Sequence, residues 1–182
     1  MEPAIGIIEF TSIAGGIYAT DVMAKKAPVE IVDSKSICPG KYMVLITGPV
    51  ADVDESLRAG IEAGAETVTD HFFIPNVHPQ VIPAILAATP FEKMKAIGVI
   101  ETFSAPSTII AADAAAKSAE IDLIEIRLGN GLGGKSYLTL TGELHDAEVA
   151  VDAGVGAIEG IGALVRKVVI PRPMIDLAKF LA

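Results

Sequence analysis

The residue in this chain best suited to ligation or nucleophilic chemistry is Cys38, its one cysteine among 182 residues. It lies in the stretch Ser36-Ile37-Cys38-Pro39-Gly40-Lys41. Pro39 pushes the residue before it toward an extended backbone by steric clash. Proline then glycine suit the two central positions of a type II turn, because proline pre-sets the first φ and glycine tolerates the positive second one. The expected turn puts Cys38 at its first corner, where a thiol can project. Lys35 and Lys41 lie on either side, and nearby positive charge favours a thiolate. Lone cysteines are more often small buried hydrophobes, yet a turn between two strand patterns is a poor place to bury one. A single cysteine excludes an intrachain disulfide, a C-x-x-C redox pair and a self-contained zinc site. Metal chemistry at Cys38 would have to borrow ligands from other chains.

The other reactive side chains are less organised. His71, His78 and His145 show no metal-ligand spacing such as H-E-x-x-H, and each falls on a different element. Glu9 and Glu101 follow buried strands at equivalent positions, where a helix-cap or hydrogen-bonding role outweighs catalysis. Ser12 and Ser104 have no nucleophile elbow and no base beside them. The run Leu128-Gly129-Asn130-Gly131-Leu132-Gly133-Gly134 before Lys135 has the glycines of a phosphate cradle. A P-loop, however, must lead into a helix N-terminus, and this loop leads into a strand. Nothing here points to an enzyme.

The elements that must position Cys38 follow from hydrophobic pattern. Half the residues are hydrophobic (51%) but only 5% are aromatic, so small aliphatic side chains do the packing, in thin layers. No apolar run reaches the ~20 residues of a membrane span. Met1-Glu2-Pro3 lacks the basic start of a signal peptide, so a soluble cytosolic protein is expected. Fourteen basic against 23 acidic residues, net −9, argue against a nucleic-acid binder, which needs a basic footprint.

Ala4 to Phe10 reads as a buried strand. Thr11 or Ser12 can cap a helix over 13–27 whose apolar side carries Ile17, Met23 and several alanines. A strand over 29–33, the Cys38 turn and a strand over 42–47 follow. A helix is expected over 52–65, with Val53, Leu57, Ile61 and Ala65 recurring every four residues. A strand over 67–75 and a short helix over 80–88 complete the unit, and 89–94 reads as a linker.

The pattern then repeats. Ala96-Ile97-Gly98-Val99-Ile100-Glu101 restates Ala4-Ile5-Gly6-Ile7-Ile8-Glu9. Asp21 and Lys25 return as Asp113 and Lys117, and Ile74-Pro75 returns as Ile170-Pro171. The offset is 92 residues from Ala4 to Ala96, 94 from Gly40 to Gly134 and 96 from Ile74 to Ile170. Agreement along the whole chain means two copies of one domain of roughly 90 residues, expected as 1–90 and 91–182. Each copy reads β-α-β-β-α-β plus a short helix, the order of ferredoxin-like α+β units. Where the copies differ, one loop is short and carries a thiol; its counterpart is long, glycine-rich and inert.

At these residues the chain resembles the tandem-domain class of bacterial microcompartment shell proteins. The matching features are the Ala-Ile-Gly opening that ends in glutamate, the D-x-x-x-K helix, the Gly-Lys strand entry and the Ile-Pro-Arg-Pro run from Ile170 to Pro173. They occur in order and cover nearly the whole chain twice. Within the class, Ile37 to Lys41 most resembles the PduT-type trimeric shell proteins.

The resemblance implies a homotrimer forming a pseudohexameric tile, with other shell proteins as partners, in a compartment shell within the cytoplasm. It implies that two loops line the tile centre, a pore: one with Ser36, Ile37, Cys38, Pro39 and Gly40, the other with Gly131, Gly133 and Gly134. It also implies a 4Fe–4S cluster shared by three chains, with one Cys38 thiolate from each. Four-iron clusters normally take four thiolates, so one iron would be left for solvent or a partner. Electron transfer across the shell, with a redox enzyme of the lumen or cytosol as partner, is the expected use. Tile-edge contacts are implied for Lys25, Lys117 and Arg172. Asn76 stands where the second copy has Arg172. Two other readings stay open on the residues alone: a cluster-free gated pore for metabolites, and a tandem ferredoxin-like regulatory module that binds a small ligand.

Overall fold

The computed structural model describes residues 3–87, 89, 95–129, 131–174 and 177. The chain divides into two compact units, 1–77 with 130–134, and 78–129 with 135–182. The boundaries of these compact units differ from those of the two sequence repeats. The short helix of the first repeat belongs to the second unit, and the glycine-rich loop of the second repeat belongs to the first.

In the first unit the elements are β1 (Ala4–Phe10), α1 (Ile13–Lys26), β2 (Glu30–Ile37), β3 (Lys41–Gly48), α2 (Val50–Gly64) and β4 (Val68–Ile74). The sheet order is β2-β3-β1-β4, with every pairing antiparallel. This is the ferredoxin-like α+β arrangement expected from the element order. β1 is central and wholly buried. Its even residues face the helices: a Cβ on Gly6 would lie 3.1 Å from both Val53 and Leu57 of α2. Ala4, Ile8, Phe10, Ala19, Met23, Val44, Ile46, Val53 and Leu57 form the core. Its odd residues Ile5, Ile7 and Glu9 point to the opposite face and are buried as well.

Local signals place the helices. The Ser12 hydroxyl accepts from the Gly15 amide at 3.1 Å, a side-chain N-cap that satisfies one orphan donor of α1. Two sequence expectations fail in detail. Ile17 is exposed rather than apolar-side core. Ala65 lies beyond the end of α2, at φ +44.

The second unit repeats the design with β5 (Ala96–Thr102), α4 (Ala105–Ser118), β6 (Ile121–Arg127), β7 (Ser136–Gly142), α5 (Leu144–Ile158) and β8 (Leu164–Ile170), in the order β6-β7-β5-β8. Even the irregularities recur. Register shifts at Glu9/Phe10 and Ile31/Asp33 return at Glu101/Thr102 and Leu123/Glu125. Ser104 caps α4 as Ser12 caps α1. This unit also holds α3 (Val81–Ile85), which packs on β6 and α4. Of the expected linker over 89–94, only 89 lies among the described residues.

Close helix packing in this unit depends on one glycine. A Cβ on Gly154 of α5 would come within 2.7 Å of the Ala111 carbonyl oxygen on α4, and backbone cannot rotate away. Gly154→Ala is expected to cost about 1–3 kcal/mol by overpacking. Gly156→Ala, two residues along the same helix with open space around it, should instead gain up to about 1 kcal/mol. Urea-unfolding midpoints of the two variants should move in opposite directions.

Candidate functional site

β2 and β3 pair through Ile37 opposite Lys41, which closes a three-residue hairpin loop of Cys38, Pro39 and Gly40. Ser36 is exposed at the end of β2 and Ile37 is buried beneath the turn. Gly40 takes the positive φ expected of it, +76. The Cys38–Pro39 peptide is cis. Cys38 is a free, partly exposed thiol at the hairpin tip.

The glycine-rich loop lies beside this turn. A Cβ on Gly134 would sit 3.1 Å from Pro39 Cδ and 3.3 Å from the Cys38 carbonyl oxygen. Glycine at this position, with φ +91, therefore allows two backbones to approach more closely than any other residue would. Gly131 and Gly133 also have positive φ, but nothing lies within 4 Å of their would-be Cβ atoms. The two loops that differ most between the repeats are thus brought together in one unit.

Electrostatics at the turn differ from the sequence expectation. Lys35 pairs with Asp33 at 2.6 Å, and Lys41 Nζ donates to Glu9 Oε2 at 3.0 Å. Both flanking cations are thus held by carboxylates. The Glu9 side chain is only 2% exposed, and a carboxylate removed from water needs such a partner. The second repeat matches this arrangement, because Lys135 donates to Glu101. Of the helix-cap and hydrogen-bonding roles expected for both glutamates, the second is the one seen, since Ser12 and Ser104 are the caps, and the lysine partners were missed. The signal was present: each glutamate recurs together with a lysine just past the variable loop. On β7, beyond the glycine-rich loop, burial and a hydrogen bond to Glu125 raise the pKa of Tyr137.

The implied edge residues are scattered. Lys25 and Lys117 occupy the last turns of α1 and α4 and pair with Asp21 at 2.6 Å and Asp113 at 2.7 Å. The D-x-x-x-K spacing therefore has a local role, an i,i+4 pair with the acid on the N-terminal side. Such pairs stabilise a helix by about 0.2–0.5 kcal/mol. Asn76 and Arg172 are exposed just beyond β4 and β8. The histidines lie on three different elements or connections, His71 on β4, His78 before α3 and His145 on α5. Among the described residues no three His, Cys, Asp or Glu side chains gather as a metal site. No helix among them is long and apolar enough to cross a membrane.

Comparison with known proteins agrees with the architecture. The BMC domain matches twice, at residues 4–77 and 96–173. The bacterial microcompartment shell protein PduT of Citrobacter freundii is 38% identical over 95% of this chain and 94% of its own length. A carboxysome assembly protein, CcmO of Synechococcus elongatus, is 32% identical over 96% of this chain and 67% of its own. The crystal structure of a microcompartment protein from Desulfitobacterium hafniense superposes with a TM-score of 0.93 at 52% identity, covering 98% of this chain and 99% of that one. With its two domains in tandem, the chain belongs to the BMC-domain family and is a structural shell protein of the bacterial microcompartment, of the PduT type, not an enzyme.

Proposed function

We propose that this shell protein assembles as a homotrimeric tile whose centre holds an iron–sulfur cluster, with one Cys38 thiolate supplied by each of three chains. The observation that carries the reading is a free, partly exposed thiol at the tip of a hairpin, against which a second loop is closely packed. The donor chemistry fits, because iron–sulfur clusters are held by cysteine thiolates. The surroundings fit too: among the described residues nothing lies within 4 Å of a would-be Cβ on Gly40, in the thiol turn itself. One chain supplies one thiolate, so the site is complete only when chains are shared.

The roles of the chain's own residues follow. Cys38 ligates, while Lys41 and Glu9 anchor the hairpin base behind it. Gly134 holds the neighbouring loop against the Cys38–Pro39 peptide and fixes the direction of the turn. A bound cluster supplies one-electron chemistry, and exchange of electrons across the shell with a redox enzyme is its proposed use. Lys25, Lys117, Asn76 and Arg172 belong to edge contacts between tiles.

Anaerobic purification should yield a brown trimer with one cluster per three chains, and Cys38→Ser should bleach it while the trimer persists. A colourless, iron-free trimer after anaerobic reconstitution would overturn the cluster and leave a gated pore. Gly134→Ala should change the rate of Cys38 alkylation at least severalfold in the cluster-free protein. Gly133→Ala, also at positive φ but in open space, should leave that rate within about twofold of the parent. The edge assignment is tested separately: removing charge at Lys25 and Lys117 together should abolish sheets seen by electron microscopy and leave trimers intact.

A further inference from the structure

The two units bury equivalent positions unequally. Ile13, Ile17 and Ile31 of the first unit are 43%, 55% and 41% exposed. Their counterparts 92 residues on, Ala105, Ile109 and Leu123, are 1%, 0% and 0% exposed. Three aliphatic side chains in water on one face are a cost that a covering element would remove.

In the second unit part of the cover is α3, the end of the first repeat. Gln80 clips the segment to the strand: its Oε1 accepts from the Leu123 amide at 2.8 Å, and its Nε2 donates to the Ile121 carbonyl at 3.3 Å. The His78 amide donates to Asp113 Oδ1 at 2.8 Å. Val81 and Ala84 are fully buried. The tail of the second repeat has the means to do the same. The Val81 amide bonds the His78 carbonyl at 3.0 Å, and 96 residues later the Leu177 amide bonds the Met174 carbonyl at 2.9 Å. Leu177, Phe180 and Leu181 repeat the spacing of Val81, Ala84 and Ile85. Met174, the counterpart of His78, is 78% exposed.

We infer that residues 174–182 of one chain cover the exposed face of α1 and β2 on a second copy, as α3 covers α4 and β6. The Met174 amide then meets Asp21 of the neighbour as the His78 amide meets Asp113. Each chain passes its tail to the next, and three such contacts close a ring. This rests on the trimeric part of the proposed function and is independent of the cluster.

The test places Met174→Cys and Asp21→Cys together in a Cys38→Ser background, because the inferred contact brings the two backbones within the reach of a disulfide. Under mild oxidation most of the protein should run as linked two- and three-chain species on non-reducing gels, with no ladder beyond three. A disulfide within one chain, or no disulfide in a protein whose native mass is trimeric, would overturn the inference and leave the trimer standing. A monomeric native mass would sink both. Leu177→Asp provides a second check that needs no cysteine: trimer should be lost at least tenfold in association constant, with the circular dichroism of the chain retained. An unchanged trimer would again overturn the tail contact.

Discussion

A buried carboxylate sets the positions of the loops. Glu9 lies on the central strand of its sheet with almost no contact with water, and a charge so placed costs several kcal/mol unless it is paired. Its partner Lys41 is the first residue of β3, directly opposite Ile37 and immediately after the thiol loop. The base of the hairpin is thus tied to the centre of the sheet, and only the three loop residues extend past the tie. Glu101 and Lys135 form the corresponding tie behind the glycine-rich loop. Two loops of unequal length and unlike chemistry therefore leave from equivalent anchor points.

Duplication within one chain releases the loops from identity. Copies of a single domain must all present the same loop, whereas each tandem chain carries two loops that can differ. Cys38 faces no second cysteine from the other repeat, because Leu128 to Gly134 contains none. The same freedom appears at the domain edges. Asp113 is held by both Lys117 and the His78 amide, while Asp21 is 57% exposed beside Lys25. The two copies share a scaffold but not a set of contacts.

Much of the scaffold was legible because it is local. The β-branched run from Ala4 to Phe10, the Ser12 cap and the four-residue spacing of Val53 and Leu57 each specify their element through nearby sequence. The repeat turned these signals into an architecture, since every element had to be consistent twice. What escaped was non-local. Ile17 carries a core-type side chain on a helix yet lies in water, because burial there depends on what covers the helix and not on the helix itself. The ties from Glu9 to Lys41 and from Glu101 to Lys135 cross more than thirty residues, and only their recurrence in both repeats exposes such pairs. The turn at Pro39 was readable as a turn from its Pro-Gly pair, and Gly40 takes the positive φ such a turn asks of it. The membership of α3 in the second unit is likewise decided by packing on β6 and α4.

The contact between Gly134 and the Cys38–Pro39 peptide ties together positions nearly a hundred residues apart. Divergence of the two copies is therefore not free at that point. The copy without a thiol must remain small wherever the copy with one needs room, so a drift at 134 is permitted only alongside a compensating loss of bulk at 39. Two loops that have parted in chemistry remain coupled in substitution, and the inert one serves as the mould in which the reactive one is set.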